Sequence, residues 1–93
     1  MSIPHYEVLD TVDLIAGGTH KDILIPSLSR NTPYSECKKT AFAIKKKERL
    51  RTVAIFSTYE AYKAGYSASY AEQHPGANNG FLGNISLSGS FGD

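Results

Sequence analysis

Thr32–Ser57, TPYSECKKTAFAIKKKERLRTVAIFS, decides the architecture, because it holds one amphipathic helix and one β-prone run with a short turn between them. Thr32 is read as the N-cap, with Pro33 at the first helical position, where a missing N–H costs nothing. Glu36 adds negative charge to the first turn. Tyr34, Cys37, Ala41 and Ile44 recur at spacings of three, four and three, so they share one helix face. Phe42 lies beside that stripe and widens the buried face or reaches a second contact. Lys45, Lys46 and Lys47 sit where cations complement the helix dipole. Thr52-Val53-Ala54-Ile55-Phe56-Ser57 then returns as a strand that packs on the helix.

Towards the N-terminus, residues 6–16 (YEVLDTVDLIA) show partial alternation, which predicts a strand bulged near Asp10 and followed by the turn-forming pair Gly17 and Gly18. Asp22-Ile23-Leu24-Ile25 is a short apolar run stopped by Pro26, whose nitrogen donates no ladder hydrogen bond. The two runs make a hairpin, and residues 26–31 connect it to the helix.

Towards the C-terminus, Tyr59, Tyr62, Tyr66 and Tyr70 recur at spacings of three, four and four. On an α-helix they line one face within about 80° of arc. Ala61, Ala64, Ala68 and Ala71 form a smooth row on another side. A helix capped by Ser57 or Thr58 is expected to run to about Gln73, where His74-Pro75-Gly76 ends it. Gly65 in its interior costs roughly 1 kcal/mol relative to alanine, so tertiary or partner contacts must support it. Tyrosine has a large ring and a polar tip, a combination enriched where protein surfaces meet. Residues 77–93 turn to glycine, asparagine and serine with Phe81, Leu82, Ile85, Leu87 and Phe91 interspersed. They are read as an extended C-terminal arm, separate from a compact domain at 1–76.

Composition narrows the function classes. A chain of 93 residues, 41% hydrophobic and 20% charged, is one small domain and is not disordered by composition. No apolar run approaches the roughly 18 residues of a membrane span, and MSIPHYEVLD lacks the pattern of a secretory signal. The expected location is the cytoplasm or a particle assembled inside a cell. One cysteine, Cys37, excludes an intramolecular disulfide and is read as a core residue. His5, His20 and His74 have no partner at metal-ligand spacing, so no metal and no cofactor is expected. The acids are scattered, no nucleophile elbow is present, and no catalytic residue is assigned. Gly17-Gly18-Thr19 precedes a strand, which makes it a hairpin turn and not a phosphate loop. Asn84-Ile85-Ser86 matches a glycosylation acceptor, without any sign of secretion.

Two binding surfaces emerge. Seven of the ten basic residues fall within Lys38–Arg51, although the net charge is only +1. Of these, Lys39, Lys45, Lys46, Lys47, Arg49 and Arg51 form a candidate contact for nucleic acid or an acidic partner. A solvated helix end complementing its dipole explains the same run. The tyrosine stripe, with Phe81, Leu82 and Phe91 of the arm, forms the candidate protein contact, although tyrosines covering a core with hydroxyls in water explain it too.

The order strand, strand, helix, strand, with Pro33-Tyr34 at the helix start and Val53-Ala54-Ile55 after it, resembles the small linker domains of cyanobacterial phycobilisomes over about half the chain. Arg49-Leu50-Arg51 stands where those domains place a glycine pair, and the tyrosine helix and tail lie outside the resemblance.

The expected fold is a small α+β domain, β-β-α-β-α, with a three-stranded sheet and a C-terminal arm. The expected function is non-enzymatic: a structural or adaptor subunit, of the kind found in virions or mobile elements, binding a protein partner or its own copies. The alternative is a nucleic-acid-binding module using residues 38–51, with an enzyme third.

Overall fold

The computed structural model describes residues 2–92; Met1 and Asp93, the outer ends of the two expected segments, lie outside them. Strands β1 (Glu7–Asp13) and β2 (Thr19–Leu24) form an antiparallel hairpin. Its register shifts between Val8 and Asp10, the bulge expected there. The Leu14 N–H donates to the Gly18 carbonyl at 2.9 Å, and Gly17 and Gly18 have φ of 94° and 88°. A Cβ on Gly18 would lie 2.7 Å from the Cβ of Arg51, so the turn needs glycine for space as well as for backbone angle.

Helix α1 (Tyr34–Glu48) carries the chain from β2 to β3 (Thr52–Phe56), which pairs parallel to β2. Cys37, Ala41 and Ile44 of the expected stripe are buried, while Tyr34 is exposed and donates its hydroxyl to the Phe91 carbonyl at 2.7 Å. Phe42 is half-buried against the same core. The N-cap is Pro33, with φ −54° and ψ 140°, and not Thr32. Thr32 Oγ1 instead accepts from the Ser29 N–H at 2.9 Å, so the loop before the helix uses the hydroxyl. At the other end Arg49 is left-handed (φ 57°), and its N–H closes on the last-turn carbonyls.

The expected three-stranded sheet with a separate arm is corrected here: the sheet has five strands in the order β1-β2-β3-β4-β5. Strands β4 (Phe81–Ile85) and β5 (Phe91–Gly92) come from the segment read as an arm. All five residues of β3 are buried, a condition that an edge strand open to solvent does not meet, and β4 supplies the missing neighbour. One glycine of this segment is required by the strand. Gly83 has φ +134°, and a Cβ there would lie 2.5 Å from Phe91 Cζ.

This geometry makes a sharp prediction. Gly83→Ala is expected to cost about 2 kcal/mol or more through backbone strain and overpacking, lowering Tm by on the order of ten degrees. Gly92→Ala, where nothing lies within 4 Å, should leave Tm nearly unchanged. Equal melting curves for the two variants would show that Phe91 does not pack on Gly83.

The sheet buries a different set of residues on each face. Ile23, Val53, Ile55 and Ile85 pack with Ile25, Phe91 and the inner side of α1. On the opposite face Ala54 and Phe56 pack with Ala61 of α2, with Tyr62 and Phe81 half-buried against them. The single helix expected over residues 59–73 is two: α2 (Tyr59–Tyr66) and α3 (Ala68–Gln73). Ser67 is extended at φ −141° and ψ 108°, and its side chain caps α3 by accepting from the Tyr70 N–H. Thr58 caps α2 by accepting from the Ala61 N–H at 3.1 Å, as expected. A 3₁₀ turn, Ala77–Gly80, joins α3 to β4.

Candidate functional site

Strand parity sets the chemistry beneath α2. His20 and Asp22 are two residues apart on β2 and face the same side, and the parallel register places Thr52 beside His20 and Ala54 beside Asp22. Asp22 is only 1% exposed. Tyr66, at the end of α2, donates its hydroxyl towards both Asp22 carboxyl oxygens, at 2.9 Å each. His20 Nε2 lies 3.0 Å from Asp22 Oδ1, and Nδ1 lies 2.6 Å from Thr52 Oγ1. A carboxylate only accepts, so Nε2 carries the proton in this contact, and the Thr52 hydroxyl is placed to donate to Nδ1.

Hydroxyl, imidazole and carboxylate thus stand in a row, with the imidazole towards the neighbouring cleft. A cleft of about 390 Å³ opens beside the cluster, walled by His20, Tyr66, Gly65, Phe56 and Phe81 and rimmed by Asn78 and Asn84. Thr52 is buried and does not line it. The group that would act as nucleophile therefore sits behind the imidazole, and the row works as a buried polar brace between β2, β3 and α2. Among the described residues no group of three His, Cys, Asp or Glu is placed to hold a metal ion.

The tyrosines divide between bracing the fold and facing outward. Ala61 and Ala64 turn inward and are buried, so the alanine side of α2 is the side that packs. Ala68 and Ala71 belong to α3 and do not continue that row. Tyr59 and Tyr66 are 50% and 64% exposed. Tyr62, half-buried between them, meets the Phe56 ring edge-on at 5.7 Å and continues a ladder to Tyr59 at 5.8 Å and Tyr66 at 5.2 Å. Tyr70 is half-buried, stacks on His74 at 3.9 Å, and shares the Lys63 ammonium with Tyr59 at 4.9 and 5.2 Å. The three remaining residues of the expected contact lie inside the fold: Phe91 is 7% exposed in the α1-side core, Leu82 is half-buried against that core, and Phe81 is half-buried against Phe56.

The basic segment belongs to the other face of the sheet. Lys39, Lys46, Lys47 and Arg49 are exposed and Lys45 is half-buried. Lys47 lies over the Tyr6 ring at 5.4 Å. Arg51 is committed to the hairpin, donating from Nη1 to the carbonyls of Ala16 and Gly17 at 3.0 and 3.2 Å. Beside this segment Glu48 accepts from Lys21 Nζ at 2.7 Å and from the Tyr6 hydroxyl at 2.5 Å, and these bonds hold its carboxyl below the usual range.

The sequence reading missed Ile15, fully exposed at the hairpin tip, and the buried cluster around Asp22. Ile15 stands next to the turn glycines, where an apolar residue has no packing role, and that was a readable signal.

Tyrosine ionisation gives a second prediction. The bond to Glu48 pushes Tyr6 up to about 12. Burial, followed by the bond to Asp22, also raises Tyr66. Both groups bind their proton more tightly folded than unfolded, so this stability is fully present below about pH 10. It is lost as pH rises from there through the folded values. The urea midpoint is expected to fall between pH 9 and pH 11.5, with a smaller fall in Tyr6→Phe. An equal fall in that variant would remove Tyr6 from the account.

Among the described residues no helix is long and apolar enough to cross a membrane. Comparison with family models, curated proteins and solved structures finds no match to this chain.

Proposed function

We propose that this chain is a non-enzymatic interaction protein, a structural or adaptor subunit that meets a protein partner or its own copies through the outer side of α2 and the adjoining Tyr70 of α3. One observation carries the reading. The alanine side of α2 is already satisfied by the sheet, yet Tyr59, Tyr62 and Tyr66 still form a continuous ring ladder, with Tyr59 and Tyr66 at least half in solvent. Rigid aromatic rings with polar tips, next to a lysine, give large contact area at small entropic cost. The surface centres on Tyr59, Lys63 and Tyr70, because Tyr62 and Tyr66 also brace the fold. The partner's setting, in the cytoplasm or an intracellularly assembled particle, belongs to the same proposal.

The test uses Tyr59→Ser with Tyr70→Ser, after circular dichroism and melting have shown the pair variant to be folded. Wild-type protein immobilised as bait should retain a protein, another or its own kind, that the pair variant retains at least roughly tenfold less. Equal retention by both would refute the reading. Lys46→Glu with Lys47→Glu should leave that retention unchanged. If it instead removes a salt-sensitive nucleic-acid contact while the tyrosine pair has no effect, the basic segment is the functional surface.

A further inference from the structure

We propose that the cleft beneath α2 binds an uncharged planar ring of nucleobase size that carries amide-like hydrogen-bond donors and acceptors. This site adjoins the outer tyrosine surface and shares Tyr66 with it, and four features of the cleft assign its ligand class.

The first is Gly65. It lies in the last turn of α2, next to Tyr66, where glycine is a weaker helix former than alanine. Its backbone is not left-handed, and an added Cβ would meet only Phe56 Cε1, at an ordinary 3.8 Å. Neither backbone angle nor packing calls for glycine. Gly65 does wall the cleft, and a longer side chain there would fill the opening.

The second is the size of the space: about 390 Å³ lies within the range of small-molecule sites. The third is the apolar wall. Phe56 and Phe81 meet at 5.4 Å with their planes tilted by 51°, and Tyr66 also lines the cleft. A flat ring entering the cleft finds more than one aromatic surface along its wall.

The fourth is the polar complement. His20 at the wall is consumed internally with Asp22 behind it, since both His20 nitrogens and both Asp22 oxygens have partners. Among the described residues that line the cleft, no charged group is left over to neutralise an ionic ligand. The carboxamides of Asn78 and Asn84 are exposed at the rim, and among the described residues neither is engaged by a side-chain hydrogen bond. The register of Asn84 opposite Ala54 sets it on the α2 side of the sheet. A carboxamide offers a donor and an acceptor side by side, the complement of an amide or nucleobase edge.

Such a ring has two sources, a free nucleoside or an unpaired base within a single strand. The test is a titration of isotope-labelled protein followed by two-dimensional amide NMR, in which asparagine side-chain NH₂ groups give their own signals. The probes are adenosine, cytidine and uridine to about 10 mM, a mixed-sequence DNA hexamer, and phenol as a ring without the amide edge. Saturable shifts at the Asn78 and Asn84 side chains and at Gly65 are expected with at least one nucleoside or with the hexamer. Gly65→Leu should weaken them roughly tenfold or more, and Asn84→Ala, an exposed substitution, serves if that variant fails to fold. Binding of similar strength by nucleoside and hexamer would identify the free compound. Tighter, salt-dependent binding by the hexamer would identify a base within a strand. The proposal is overturned if no probe shifts the cleft, if shifts gather on α1 instead, if phenol binds as well as every nucleoside, or if both variants bind like wild type.

Discussion

Removing residues 80–93 is expected to unfold this chain and not merely to trim it. The deletion takes Ile85 and Phe91 out of the α1-side core, where they are 0% and 7% exposed. It removes β4 and β5 and strips β3 of its partner along one whole edge. Truncating one buried isoleucine or phenylalanine typically costs about 2–5 kcal/mol. Two such losses are comparable with the roughly 5–15 kcal/mol that holds an entire small domain together. The lost ladder bonds add to this, as does the Ser57 N–H, which donates to the Gly80 carbonyl at 2.7 Å. Circular dichroism of the truncated protein should show no cooperative thermal transition. A truncated chain that melts cooperatively near the wild-type temperature would return residues 81–92 to the status of an arm.

The second large effect concerns Tyr66. Tyr66→Phe keeps the ring and its contact with Tyr62 but removes the hydroxyl that reaches both oxygens of Asp22. Because Asp22 is 1% exposed, water does not readily replace that donor. A hydrogen bond to a charged group contributes about 1.5–3 kcal/mol, and a buried acceptor left short of a donor bears the desolvation cost. The urea midpoint of Tyr66→Phe should therefore fall clearly below that of Tyr59→Phe, whose hydroxyl bonds no described residue. If the two variants unfold together, Asp22 does not depend on Tyr66, and α2 is held by its alanine face and Tyr62.

Local signals were legible in the sequence wherever neighbouring residues decide the outcome. The bulge beside Asp10, the glycine turn, the apolar stripe of α1, the Thr58 cap and the stop at His74-Pro75-Gly76 all appear in the structure. Most of the misread features depend on residues far apart in the chain, the break at Ser67 being local. Gly83 looks like a strand breaker until Phe91, eight positions later, is seen to cross it. Ser67 carries no glycine or proline to announce the break between α2 and α3, and its capping role exists only once the backbone turns there. His20 reads as part of the turn before Asp22, and not as its neighbour at strand parity, because β2 begins at Thr19, earlier than its apolar run. Their partners Thr52 and Tyr66 lie 32 and 44 residues away and needed the parallel register of β2 with β3 to meet them. The tyrosine spacing did show that α2 has an alanine side and an aromatic side. It did not show that Tyr62 and Tyr66 would serve the fold and the surface together.

The most direct test of the central claim is light scattering coupled to size exclusion, at low and moderate salt, on wild-type protein and on Tyr59→Ser with Tyr70→Ser. Each is run alone and with any protein that wild-type bait retains. The account predicts a discrete species heavier than the monomer, alone or with that partner, which persists at moderate salt and reverts to monomer in the variant. A heavier species that survives in the folded variant, or one that dissolves with salt and carries nucleic acid, would contradict it.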